Sequence, residues 1–253
     1  MSAARTILQG GRRSAAGETA TSYTLGMPHG SGNEIEIKLP VADMAAIRRR
    51  LRAAGGRAGP RLHEINVLFD TPEESLRRRE MLLRVRVERR PGRGGGARGP
   101  QERRALADTR LFPPRGGQRA IVTLKAPPEN PGDGGQGAGA QALNGYKVRR
   151  EVEFEVSDSL HFRELLVSLG FRPAFYYEKF RTEHRSRRLP GVLITLDETP
   201  VGNFLEIEGR PGAIDRARAA LGYRPEDAIL LSYGALYTAH CAAEGREPGD
   251  MLF

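Results

Sequence analysis

The strongest constraint on this chain is a period of two. Eight segments, 33–39, 62–70, 80–90, 119–126, 146–156, 172–185, 191–199 and 203–210, alternate apolar with polar residues. Alternate residues of a strand share a face, so the spacing predicts eight strands. In seven of the eight the polar face is charged. Glu34, Glu36 and Lys38 oppose Ile35, Ile37 and Leu39; Arg84, Arg86 and Glu88 oppose Leu83, Val85 and Val87. Thr123 and Lys125 oppose Val122 and Leu124, and Glu151, Glu153 and Glu155 oppose Val152, Phe154 and Val156. Lys179, Arg181 and Glu183 share a side, as do Thr195 with Asp197 and Glu206 with Glu208.

One charged face on an antiparallel strand ordinarily meets water. Its recurrence, together with four amphipathic helical stretches, argues for something else. Apolar residues repeat at helical spacing in 42–54, 158–169, 211–221 and 232–243, bounded by capping residues such as Asp158 or by glycines. Eight strands suit closure into a barrel. If the helices cover its aliphatic outside, the charges point inward. The fold predicted is α+β: an eight-stranded antiparallel closed β-barrel with a charged lumen and an apolar exterior under helices. Seven acids (Glu34, Glu36, Glu151, Glu153, Asp197, Glu206, Glu208) and six bases (Lys38, Arg84, Arg86, Lys125, Lys179, Arg181) would line it. Desolvated charges cost several kcal/mol unless paired, so such a lumen makes sense as a ligand site and not as a stability device. Clustered bases suit a polyphosphate, and clustered carboxylates suit a hard divalent cation.

Composition narrows the alternatives. No apolar run is long enough to cross a bilayer, and the first residues lack the apolar core of a secretory signal. The single cysteine, Cys241, excludes an internal disulfide framework and thiolate metal clusters, and a cytoplasmic location follows as the default. The net charge of +9 suggests a polyanion, yet most of it lies in 1–33 and in the Gly/Arg-rich stretch 91–119. Aromatic residues do not interleave with those arginines, apart from Phe112, which argues against nucleic acid. The domain expected is 33–243, with a disordered extension at 1–32, flexible insertions at about 91–118 and 127–145, and a C-terminal tail at 244–253.

The ordered set "EIEIK" (34–38), "FDTP" (69–72), "LLRVR" (82–86), "TLK" (123–125), "REVEFEV" (150–156), "EKFRTE" (178–183), "LDE" (196–198) and "FLEIEG" (204–209) resembles the CYTH superfamily, the triphosphate tunnel metalloenzymes. Among these the chain is most similar to the bacterial class IV adenylate cyclase branch, which implies conversion of ATP to cAMP and pyrophosphate. Similar proteins hydrolyse inorganic, thiamine or nucleoside triphosphates, and the same lumen without catalysis would make a polyphosphate-binding module. The resemblance implies Mg2+ or Mn2+ held by Glu34, Glu36, Glu153, Asp197, Glu206 and Glu208. It implies phosphate contacts from Lys38, Arg84, Arg86, Lys125, Lys179 and Arg181. A lysine of lowered pKa, Lys38 or Lys125, is the candidate base. The partner implied is a small triphosphate (ATP, tripolyphosphate or thiamine triphosphate), with a homodimer allowed.

Other signals carry less. "GDGGQG" at 132–137 follows three prolines and no amphipathic helix comes after it, so it reads as a linker. The five histidines show no metal-like spacing. Tyr176 and Tyr177 read as packing residues and not as a platform for stacking a base.

Overall fold

The computed structural model describes residues 32–90, 119–128, 141–143 and 145–253. The N-terminal extension before residue 32, the insertion at 91–118 and the Gly-rich motif at 132–137 lie outside the described residues.

In chain order the elements are β1 (Gly32–Val41), α1 (Met44–Ala53), β2 (Gly56–Asp70), α2 (Ser75–Arg78), β3 (Leu82–Arg89), β4 (Arg119–Ala126), β5 (Gln141–Leu143) and β6 (Tyr146–Val156). There follow α3 (Ser159–Ser168), β7 (Arg172–Ser186), β8 (Val192–Thr199), β9 (Gly202–Gly209), α4 (Pro211–Ala220), a 3-10 turn (Pro225–Asp227) and α5 (Tyr233–Ala243). The strands run β1-β9-β8-β7-β2-β3-β4-β6, and β6 pairs back onto β1. All these pairings are antiparallel, so eight strands close a barrel. The short β5 adds to β6.

The aliphatic faces do point outward. Ile37, Leu39, Ile194, Leu196, Leu205 and Ile207 form one cluster with Ile47 and Leu51 of α1, with Ile214 and Ala217 of α4 and with Leu221 at the end of α4. Val67, Phe69, Val85, Val87, Ala120 and Val122 meet Leu166 of α3. Each such Leu or Ile contributes on the order of 2 kcal/mol by leaving water. Helix ends follow the local chemistry: the Asp43 carboxylate accepts from the Ala45 and Ala46 amides at 2.8 and 2.9 Å, Asp158 accepts from the His161 amide, and the Ser232 hydroxyl from that of Ala235. At the end of β9, Gly209 has φ +155°, and a Cβ there would lie 2.4 Å from the Gly191 carbonyl oxygen, so only glycine allows β8 and β9 to close up.

A third cluster differs in kind. Tyr233, Tyr237 and Cys241 of α5 pack with Tyr177, Phe204 and Met251, and α5 meets the barrel at one end. Residues near the C-terminus, set apart in the sequence as a tail, dock beside it. The Met251 amide donates to the Tyr176 carbonyl, the Glu178 amide donates to the Met251 carbonyl, and Met251 is fully buried.

Three local differences from the sequence reading have physical reasons. β2 starts at Gly56, not near 62, because "GRAGPR" is solvent-exposed and so carries no apolar alternation. Its backbone still pairs with the end of β7, through a register shift between Ala58 and Arg61 around Gly59-Pro60. The single turn α2 has no period to read; the Asp70 carboxylate specifies it by accepting from the Leu76 and Arg77 amides. β5 lies in Gly-rich sequence and pairs through its backbone.

Candidate active site in the barrel lumen

Residues directly opposite in antiparallel strands share a face, so the register fixes which side chains look inward. Glu36 stands opposite Glu208, Lys38 opposite Glu206, Lys125 opposite Glu151, Arg84 opposite Thr123, and Arg181 opposite Asp197. Glu34, Glu36, Lys38, Arg84, Arg86, Lys125, Glu153, Lys179, Arg181, Glu206 and Glu208 line one cavity of about 210 Å3. Asp197 lies behind it, fully buried.

The cavity also holds groups absent from the expected set. Lys147 faces Glu36, its Nζ donating to Oε1 at 2.6 Å. Glu64 of β2 is wholly buried on the cavity wall, and Asn66, on the same face of β2, is wholly buried without lining the cavity. Glu88 and Glu183 are further acids on its wall, beside the expected Glu151. The Tyr177 hydroxyl accepts from Arg84 Nη1 at 3.2 Å, so this tyrosine faces the lumen, whereas Tyr176 packs outside. Ser232, Tyr233 and Gly234 bring the start of α5 against the cavity.

The bases are held by carboxylates. Lys179 Nζ and Arg181 Nε donate to Asp197 at 2.9 and 2.7 Å, and Tyr233 donates to the same carboxylate at 2.7 Å. Three donors use both oxygens of Asp197, a residue expected as a metal ligand, and through them it holds two bases in place. Glu153 also serves bases: it accepts from Thr123 at 2.9 Å and Arg86 at 3.3 Å, with Arg84 at 3.7 Å. Glu206 pairs with Arg181 and, at 3.5 Å, with Lys38. Glu34 pairs with Lys125.

Their surroundings separate the two lysines expected as a base. Burial pulls Lys38 below the ordinary lysine value, against the pull of Glu206 and Glu36. It sits 4.1 Å from the Tyr233 ring centroid and donates to the Leu231 carbonyl at 2.9 Å. Burial also penalises the Lys125 ammonium, but Glu34, Glu36 and Glu151 outweigh it and raise Lys125 above the ordinary value. Burial favours the acid form of Glu64, yet Lys179, Arg181 and Arg86 hold it down to about 2. Glu208 keeps an exposed face at its strand end, but protein on its lumen side and then Glu34 push it up to about 7.

Nine acids and seven bases line the cavity, so it is net acidic before any ligand binds. Among the described residues no three His, Cys, Asp or Glu side chains gather as a complete metal site. A magnesium-type ion needs only one or two carboxylates, with phosphate oxygens and water completing its shell. Glu36 and Glu208, opposed on β1 and β9 with Glu34 two residues away, meet that requirement with oxygen donors. Their mutual crowding is what a cation relieves.

The CYTH domain model matches residues 32–221. The chain belongs to the CYTH family. Three solved structures share the fold. One, a candidate adenylate cyclase from Vibrio parahaemolyticus, has a TM-score of 0.56 at 15% identity, covering 82% of this chain and 98% of that one. Two Pyrococcus horikoshii proteins have TM-scores of 0.55 and 0.51 at 22% and 21% identity, covering 84% and 79% of this chain and 99% and 96% of theirs. No curated protein matches the sequence. The CYTH barrel is thus the triphosphate tunnel fold, whose enzymes generally use divalent cations. Among the described residues no helix is long and apolar enough to span a membrane.

Proposed function

We propose that this tunnel binds ATP with Mg2+ or Mn2+ and acts as a class IV adenylate cyclase-like enzyme, forming cAMP and pyrophosphate. The observation that carries the reading is convergence: seven bases from five strands face one cavity together with carboxylates in excess. Seven cations suit the charge of a triphosphate, and the acid excess suits an accompanying cation.

Arg84 and Arg86, fixed by Glu153, present planar forks to phosphoryl oxygens. Lys179 and Arg181, fixed by Asp197, grip from β7, one strand beyond β2. Lys125 is firmly an ammonium and acts as a charge partner, not a base. Glu36 and Glu208, with Glu34 close by, would hold a hard cation, which would supply Lewis-acid neutralisation of phosphoryl charge. Lys38, with its lowered pKa, is the group suited to take the proton of the ribose 3′-hydroxyl. The bond from O3′ to the α-phosphorus then forms as the bond to pyrophosphate breaks. The preorganised arginines offset charge on the departing oxygens.

Product analysis on ATP, tripolyphosphate and thiamine triphosphate, each with Mg2+ or Mn2+, tests this. The expected result is cAMP and pyrophosphate from ATP. Release of phosphate instead would make the protein a triphosphatase using the same grip with water in line. Binding without products would make it a polyphosphate-binding module.

A further inference from the structure

The cavity wall is not charged throughout. Leu68, Leu82, Phe175 and Tyr177 line the same space as the bases. They come from β2, β3 and β7, with β2 lying between the other two in the barrel. Leu68 stands directly opposite Phe175 on one side and Arg84 on the other, and Leu82 stands opposite Lys125. Two residues along β7 and β3, the next inward position, the wall changes from Lys179 to Tyr177 and from Arg84 to Leu82. The stacked rings of Phe175 and Tyr177 lie 5.9 Å apart at 22°. Through its hydroxyl Tyr177 is joined to Arg84.

We propose that this apolar shelf is a subsite for the flat organic group of the substrate, so that the tunnel prefers an organic triphosphate over inorganic tripolyphosphate. This rests on the triphosphate reading above. Packing of α5 accounts for part of the shelf, since Leu68 and Phe175 touch the cluster around Tyr237. It does not account for Leu82. That side chain is half-buried inside the cavity and belongs to none of the three apolar clusters of the described residues. A leucine kept wet beside Arg84 and Lys125 contributes little to the fold, and a ring laid over it removes apolar surface from water.

A bare tripolyphosphate offers no apolar surface to lay over this leucine.

The test compares dissociation constants for ATP and for tripolyphosphate, both with Mn2+, from thermal-shift titrations of the full chain. The wild type is expected to bind ATP about tenfold more tightly, and Leu82→Asn to lose about tenfold for ATP while tripolyphosphate changes less than about twofold. Leu82→Met, which keeps the apolar surface, should retain ATP affinity, and Leu68→Asn provides a second variant should Leu82→Asn fold poorly. Equal losses for the two ligands, or a wild type that binds both alike, would overturn the subsite while leaving the triphosphate reading intact. Failure of the wild type to bind either ligand would overturn both.

Discussion

Glu64→Gln is the most informative single change, because Glu64 touches neither proposed metal ligand nor exterior. Its carboxylate is wholly buried, with Lys179 at 3.4 Å, Arg181 at 3.7 Å and Arg86 at 3.8 Å, none in hydrogen-bonding geometry. Removing its charge leaves three cations facing one another. Its fall from 4.5 to about 2 corresponds to roughly 3 kcal/mol of stabilisation of the ionised form. Loss of one member of a buried ion cluster costs a similar 3–5 kcal/mol. For a chain of this size that is a drop in Tm of about 6–12 °C at pH 7. Because the folded pKa is depressed, the stabilisation is fully present above 4.5 and is lost as pH falls toward 2. Calorimetric melts of both proteins should therefore differ at pH 7 and converge in acid. Tripolyphosphate with Mn2+ replaces the missing negative charge, so it should raise the Tm of Glu64→Gln more than that of the wild type. A Tm within about 2 °C of wild type at pH 7, or equal ligand protection of both proteins, would refute the charge balance drawn for the lumen.

Other outcomes follow from the same contacts. Lys147→Met frees the Glu36 carboxylate from its 2.6 Å partner, so Mn2+ measured alone by calorimetry should bind more tightly while tripolyphosphate binds about tenfold more weakly. Arg86→Ala should weaken tripolyphosphate binding more than phosphate binding, since a monophosphate does not span the row of bases; equal losses would argue against a triphosphate grip. Asp43→Ala, which removes the α1 cap far from the lumen, should cost about 1 kcal/mol in denaturant melts and leave ligand binding unchanged.

The barrel was legible in the sequence because β1, β3, β6 and β9 repeat charge at every second position, and one face of a strand must then be wholly polar. Their apolar partners packed under helices as alternation requires. β2 was harder to read. Its inner face is Leu62, Glu64, Asn66 and Leu68, a mixed row in which one acid does not announce a site, although its carboxylate is wholly buried. Lys147 escaped notice because it sits at the start of β6 beside Gly-rich sequence, and only its register with Glu36 gives it meaning. Tyr233 and Ser232 reach the cavity from a helix distant in sequence, which no strand period encodes. The role of Asp197 turned on tertiary contacts. Its spacing matched the other carboxylates, but three donors from β7 and α5 claim it.

The central claim is that the inward carboxylates and bases hold a metal–triphosphate pair inside the barrel. The most direct measurement is the anomalous scattering of Mn2+ in crystals grown with tripolyphosphate. The account predicts a peak inside the tunnel within bonding distance of a Glu36 oxygen, with phosphate density reaching Arg84 and Arg86. A manganese bound only outside the barrel, or phosphates that leave Arg84 and Arg86 untouched, would contradict it.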